Sequence, residues 1–206
     1  MLMPNKHDSY IFLDFDGVLN TERWQRHCMA AGLPTEDGFG PVFDPEAVEN
    51  LATIMEAVPG AKVIITSSWK WEGLEKMKRL WTKRRLPGVL LDIAPDFVPN
   101  FDDEAFEKIL QGELPVGRGA DILAWQEQNG AAGKPYVILD DLPDFYPEQQ
   151  PHYIETDPRV GITLEDAVRA IGILNEKLIP VLLLGDYRPA FQQADAIGER
   201  RTPGCH

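Results

Sequence analysis

Apolar residues along this chain fall into short unbroken runs, separated by longer stretches in which they recur every three or four positions. Residues 10–15, 61–66 and 135–140 are the clearest runs, each about five or six residues long and nearly continuously apolar, the pattern of strands covered by helices on both faces. Helical spacing marks about 45–57, 70–84, 103–111, 119–129 and 163–175, and shorter strands are expected near 88–92 and 152–155. Strands and helices alternating at these lengths predict parallel strands joined by right-handed crossovers. The expected fold is therefore a three-layer α/β/α, Rossmann-like parallel sheet. Neither an internal repeat nor a low-complexity segment interrupts it, and residues 92–101, with Pro95 and Pro99, form the clearest irregular stretch.

The three long runs end alike. The first stops at Asp14-Phe15-Asp16-Gly17, the second at Thr66-Ser67-Ser68-Trp69 and the third at Asp140-Asp141. The carboxyl ends of parallel strands line the ligand crevice of an open α/β sheet, so carboxylates and hydroxyls converge where chemistry is expected. Each ending also has a purely structural reading. Asp16-Gly17 makes a turn, Thr66-Ser67-Ser68 caps a helix starting near Trp69, and Asp140-Asp141 caps a turn ahead of Pro143. A helix N-terminus at Trp69 would itself attract an anion, so capping and binding are compatible there.

The order Asp-x-Asp-Gly-Val, a hydroxyl after a second strand, a basic residue and then Asp-Asp resembles the haloacid dehalogenase (HAD) superfamily of phosphotransferases from about Tyr10 to Asn175. Four stretches are similar, more narrowly, to the small phosphatase-type domains of Swiss Army Knife RNA repair proteins. They are Phe12-Leu13-Asp14-Phe15-Asp16-Gly17-Val18-Leu19-Asn20, Ile65-Thr66-Ser67-Ser68-Trp69-Lys70, Arg118-Gly119-Ala120-Asp121-Ile122-Leu123-Ala124-Trp125 and Thr156-Asp157-Pro158-Arg159-Val160-Gly161-Ile162-Thr163. The resemblance implies a HAD-like phosphatase, with Asp14 as nucleophile and Asp16 as general acid and base. It also implies a Mg²⁺ ion on the carboxylate of Asp14, the backbone carbonyl of Asp16 and the carboxylate of Asp140, with Asp141 bound through water.

Elementary chemistry supports those assignments. Phosphate monoesters hydrolyse extremely slowly unaided, so a catalyst must supply a nucleophile, shield the phosphoryl charge and protonate the leaving oxygen. An aspartate, ordinarily ionised above a pKa of about 3.9, can attack phosphorus and form an aspartyl-phosphate. Crowding by other carboxylates favours the proton a second aspartate needs to act as an acid. Four carboxylates at one rim repel, since two like charges about 4 Å apart cost on the order of 4 kcal/mol at an effective dielectric of 20. A divalent cation offsets this, and an all-oxygen set suits Mg²⁺ better than zinc. Thr66 is expected to hydrogen-bond a phosphoryl oxygen, joined by Ser67. For the cation that neutralises nucleophile and phosphate, Arg118 fits the family spacing. Lys134, just before the third strand, competes with it, because arginine departs from the superfamily's more frequent lysine.

Composition narrows the setting. A chain of 206 residues is one medium domain, and its 44% hydrophobic content is ordinary for a globule. Cys28 and Cys205 make no disulfide framework, no apolar run approaches membrane length, and Met1 to Ser9 shows no signal-peptide pattern. A cytoplasmic protein without membrane insertion is the expectation. A net charge of −13 argues against bulk nonspecific nucleic-acid binding. The sign reverses locally at Lys76, Lys78, Arg79, Lys83, Arg84 and Arg85, read as the solvated side of an amphipathic helix, with a phosphate-tracking strip as the alternative.

The expected organisation is a core over 1–176 with minimal or no cap domain, a short flap at about 21–45, and an extension over 177–206. The apolar stretch from Leu178 to Gly185 is expected to pack on the core or on a partner, as in a homodimer. Residues from Glu199 on are expected to be disordered. An open site suits bulky substrates, so a phosphorylated small molecule or a nucleic-acid end is the expected partner. Trp24, His27 and Phe39, or Trp69 and Trp71, are the aromatics available to stack on a base, against a stronger core-packing reading for each. A phosphate-receiver module, or an interaction domain keeping only the metal site, is the competing class. A dehalogenase needs no acid at Asp16, and a transport ATPase carries a different nucleophile motif.

Overall fold

The computed structural model describes residues 8–97 and 117–175. In chain order these form β1 (Ser9–Leu13), α1 (Glu22–Ala31), β2 (Glu36–Asp37), β3 (Gly40–Pro41), α2 (Pro45–Ala57), β4 (Ala61–Ile65), a 3-10 turn (Ser68–Glu72), α3 (Leu74–Lys83), β5 (Val89–Ile93), α4 (Gly117–Gln128), β6 (Tyr136–Asp140), a second 3-10 turn (Gln150–His152), β7 (Tyr153–Glu155) and α5 (Leu164–Leu174). Five strands make one sheet in the order β5-β4-β1-β6-β7, every neighbouring pair parallel. The fold is the expected three-layer α/β/α, Rossmann-like arrangement.

Alternation along β1 explains the layers. Ile11 and Leu13 join Val63, Ile65, Val137 and Leu139 in a core closed by α2, α3 and α5. Tyr10 and Phe12 point the other way, joining Ile64 and Ile138 under Ile122 and Trp125 of α4. Both faces are thus covered, which is why the strands read as continuous apolar runs. Each fully buried Ile, Leu or Phe contributes about 1.5–3 kcal/mol of transfer free energy. Register does the rest: Leu13 lies opposite Ile65 on one side and Leu139 on the other, so Asp14, Thr66 and Asp140 are the next residues at one level of the rim.

Two expectations need correction. The helix expected over 70–84 is two elements, a 3-10 turn and then α3, because Gly73 at φ 85° interrupts the path between them. No long helix therefore begins at Trp69, and the anion-binding argument based on one fails. The stretch expected as a flap holds α1 and the β2–β3 hairpin. Arg84 does not belong to a solvated basic strip: its side chain is 9% exposed, paired with Asp37 and set over the Phe43 ring at 4.2 Å. Lys76 and Lys78 are on the solvated side, each paired with a glutamate of its own segment, Glu72 and Glu75.

The helix expected at 103–111 lies outside the described residues, as do the extension over 177–206 and the homodimer contact expected of it. Among the described residues no helix is long and apolar enough to cross a membrane.

Candidate active site

The loop leaving β1 folds back on itself at once. The backbone N–H groups of Val18, Leu19 and Asn20 all donate to the carbonyl of Phe15, and Gly17 N–H donates to the carbonyl of Asn20. Val18 and Leu19 are driven into the core, while Asp14 and Asp16 are left at the rim, Asp14 buried and Asp16 exposed. Gly17 takes φ 72°, and a Cβ there would lie 2.5 Å from the Asp141 carboxyl. Only glycine allows the β1 loop and Asp141 to approach this closely. The Thr156 hydroxyl holds the turn in place by donating to the Gly17 carbonyl at 2.9 Å.

Asp14 accepts from the Phe15 N–H at 2.7 Å with one carboxylate oxygen. Its other oxygen takes Arg118 Nη1 at 2.5 Å. Asp140 repeats the arrangement, with one oxygen on the Leu142 N–H at 3.0 Å and the other on the same Arg118 Nη1. Arg118 thus bridges the ends of two adjacent strands from the first turn of α4. That turn is docked on the loop after β6, since the Arg118 backbone N–H donates to Asp144 Oδ2 at 3.1 Å and Gln149 Nε2 donates to the Gly119 carbonyl at 3.0 Å.

The charge balance at the rim is legible in its carboxyls. Burial pushes Asp140 up to about 7, the charge of Asp14 adds to this, and Arg118 opposes it. Asp141 is raised by burial and then by Asp14. Burial alone would lower the Arg118 guanidinium, but the charges of Asp14 and Asp140 outweigh it and the net direction is upward. One cation between two carboxylates, with a third beside them, leaves negative charge uncompensated. Asp14, Asp140 and Asp141 each offer an oxygen, all within 4.8 Å of one another. Such a donor set fits a hard, oxygen-liganded cation.

Of the remaining expected site residues, Thr66 is 2% exposed, and its hydroxyl has no hydrogen-bond partner among the described residues. A buried hydroxyl without a partner, one strand from the nucleophile candidate, is a group awaiting one. Ser67 is fully buried, and its Oγ accepts from the Trp69 N–H at 3.4 Å, the capping role. Lys134 is not brought to the rim. It precedes β6, at the end of the strands opposite the rim, near Asp8, which is held below its ordinary range first by a hydrogen bond from Lys62 and lastly by the charge of Lys134. Trp69 packs edge-on against Phe15 and donates its indole N–H to Asp16 at 2.9 Å.

Residues 10–167 match the family described as the HAD domain in Swiss Army Knife RNA repair proteins. The chain belongs to that family. No curated protein and no solved structure matches the chain. Membership places this HAD domain in the HAD-type phosphatase superfamily.

Sequence reasoning missed several contributors. Asn20 Nδ2 donates to Asp16 at 2.6 Å, Gln25 Nε2 donates to Asn20 at 2.9 Å, and Lys70, 5% exposed, pairs with Asp121 at 2.6 Å and Asp96 at 2.9 Å. Asn20 and Lys70 sit inside motif stretches, but a linear motif carries no sign of which side chains meet. Two clefts open on either side of Asp16. One, of about 500 Å³, runs past Asn20, Gln25, Met29 and Asp141, and the other, of about 410 Å³, runs past Gly40, Trp69 and Trp71.

Proposed function

We propose that this HAD domain is a Mg²⁺-dependent phosphomonoesterase working through an aspartyl-phosphate on Asp14. The observation that carries the reading is Arg118 bridging Asp14 and Asp140 with Asp141 alongside. Asp14, Asp140 and Asp141 would hold the metal, with the Asp16 carbonyl. When bound, the ion supplies charge neutralisation to phosphoryl oxygens. Arg118 adds fixed positive charge beside the same group, and Thr66 supplies a hydroxyl donor to it.

A carboxylate oxygen of Asp14 forms the new bond to phosphorus while the bond from phosphorus to the ester oxygen breaks. The proton for that oxygen comes from Asp16, two residues further along the same loop. Asp16, now a carboxylate, takes a proton from water, whose oxygen attacks phosphorus. Inorganic phosphate leaves and Asp14 returns as a carboxylate. The open clefts beside Asp16 suit a bulky leaving group, and the family's RNA repair setting favours nucleotides or nucleic-acid ends. The protein is expected to act in the cytoplasm.

The test is phosphate release by the purified protein, with and without Mg²⁺, from p-nitrophenyl phosphate, nucleoside monophosphates and 5′- or 3′-phosphorylated RNA and DNA. Mg²⁺-dependent release, lost in Asp14→Asn, is the expected result. Absence of release from every ester while Mg²⁺ still binds would support the interaction-domain reading. A lasting phosphoryl group taken from acetyl phosphate would support the receiver.

A further inference from the structure

Asp16 is exposed, yet neither of its carboxylate oxygens is left to solvent alone. Asn20 Nδ2 donates to Oδ1 at 2.6 Å and Trp69 Nε1 donates to Oδ2 at 2.9 Å. A surface aspartate normally turns among its rotamers, and donors at both oxygens fix the plane of this one. Each donor is itself held. Gln25 Nε2 donates to Asn20 Oδ1 at 2.9 Å and to the Val42 carbonyl at 3.1 Å, which sets the Asn20 amide with its N–H groups toward Asp16. The Trp69 ring stands edge-on to Phe15, at 5.5 Å and 89°, and tilted against Phe43 at 5.8 Å. Gly40 lies against its far edge, where an added Cβ would sit 3.1 Å from Trp69 Cη2. Arg84 locks that side by donating to Asp37 at 2.8 and 3.1 Å and to the Gly40 carbonyl at 3.1 Å.

We propose that Trp69 and Asn20 are positioning residues that bracket Asp16, fixing its carboxyl toward the leaving oxygen, with the β2–β3 hairpin as the seat of Trp69. The proposal rests on the phosphatase reading and deepens it. Two clefts flank Asp16, with Asn20 and Gln25 lining one and Trp69 the other. A proton donor between two entrances serves only if its orientation is imposed from outside the substrate, and the bracket does this. Orientation of a reacting group before the step is worth several powers of ten in rate. Part of what Asp16 contributes is therefore delivered through Trp69 and Asn20.

Protonation matters most when the ester oxygen leaves as an alkoxide and least when it leaves as nitrophenolate. Trp69→Phe keeps the aromatic packing and removes the N–H, and Asn20→Ala removes the opposite donor. For each variant, the ratio of kcat/KM on an alkyl phosphate to kcat/KM on p-nitrophenyl phosphate, which reports departure of the ester oxygen and not the water step that both esters share, is expected to fall about tenfold, a fraction of the 10²–10⁴ typical of general acid catalysis. Thermal midpoints check that both variants fold. The indole N–H resonance of Trp69, identified by its loss in Trp69→Phe, should shift in Asp16→Ala without any substrate present. An equal fall in kcat/KM on both esters, no fall on either, or an indole resonance indifferent to Asp16→Ala would overturn the bracket. Wild-type protein that releases phosphate from no ester overturns the phosphatase reading instead, and the substrate-free resonance then decides the bracket alone.

Discussion

Gly17 and Arg118 fix the two sides of the acidic rim by opposite means, one by leaving space and the other by filling it. A methyl at position 17 would meet the Asp141 carboxyl at 2.5 Å and would sit on a backbone at φ 72°. Gly17→Ala is therefore expected to displace Asp141 and weaken Mg²⁺ binding about 10-fold, the lower end of what disturbing a metal ligand's surroundings costs, read by calorimetric titration of the metal. An affinity equal to wild type would remove Asp141 from the site. Arg118→Ala leaves Asp14 and Asp140 facing each other without their shared cation. The expected loss of stability is about 3 kcal/mol, measured by urea unfolding without divalent cations. Because the defect is uncompensated charge, millimolar Mg²⁺ should recover much of it. If Mg²⁺ recovers none, the carboxylates do not share an ion.

At the scale of elements, the β2–β3 hairpin is tied to the C-terminal end of α3 by a pair whose strength depends on pH. Its hydrogen bond with Arg84 holds the Asp37 carboxyl below its ordinary 3.8, against the opposing effect of burial. The sign follows from linkage: a depressed carboxyl contributes stability that is complete above the unfolded pKa and is lost as pH falls through the lower folded value. Asp37→Asn should thus cost less than about 1 kcal/mol at pH 7, given the exposure of Asp37, and nothing at a pH well below 3.8. Urea midpoints of both proteins at the two pH values check it. A difference persisting in acid would mean that Asp37 acts through shape rather than charge. Parallel strands and their helices were legible in the sequence because burial on both faces writes itself as long apolar runs. Asp14 and Asp140 were legible because each ends such a run, and Arg118 because its distance before Asp140 resembles the family's spacing. The 3-10 turn, the hairpin and the Arg84 lock were not, because two-residue strands carry no periodicity and a buried arginine reads like a solvated one. Nor does spacing say that Trp69 lends its N–H to Asp16, since the two are joined only by the folding of β4 beside β1.

The whole molecule carries a net charge of −13, and phosphorylated nucleic-acid ends are polyanions. Mutual repulsion slows their approach, and salt screens it over about 30 Å at 0.01 M but only about 10 Å at 0.1 M. Within the candidate basic strip Lys76, Lys78 and Arg84 are each already paired with a carboxylate, which leaves Arg79, Lys83 and Arg85 exposed, three cations against a net charge of −13. A small dianionic ester feels the same field through far fewer charges. Raising salt from about 0.01 to 0.1 M should therefore increase kcat/KM for a 3′- or 5′-phosphorylated oligonucleotide several-fold while changing that for p-nitrophenyl phosphate much less. Proteins that grip nucleic acid through released counterions show the opposite slope. A steep fall in kcat/KM with salt for the oligonucleotide would mean that surface cations, with Arg79, Lys83 and Arg85 the first to test, recruit the strand. A rise would mean that the site takes the terminal phosphate on the strength of Arg118, Thr66 and the metal-binding carboxylates alone, with the rest of the surface holding the strand away.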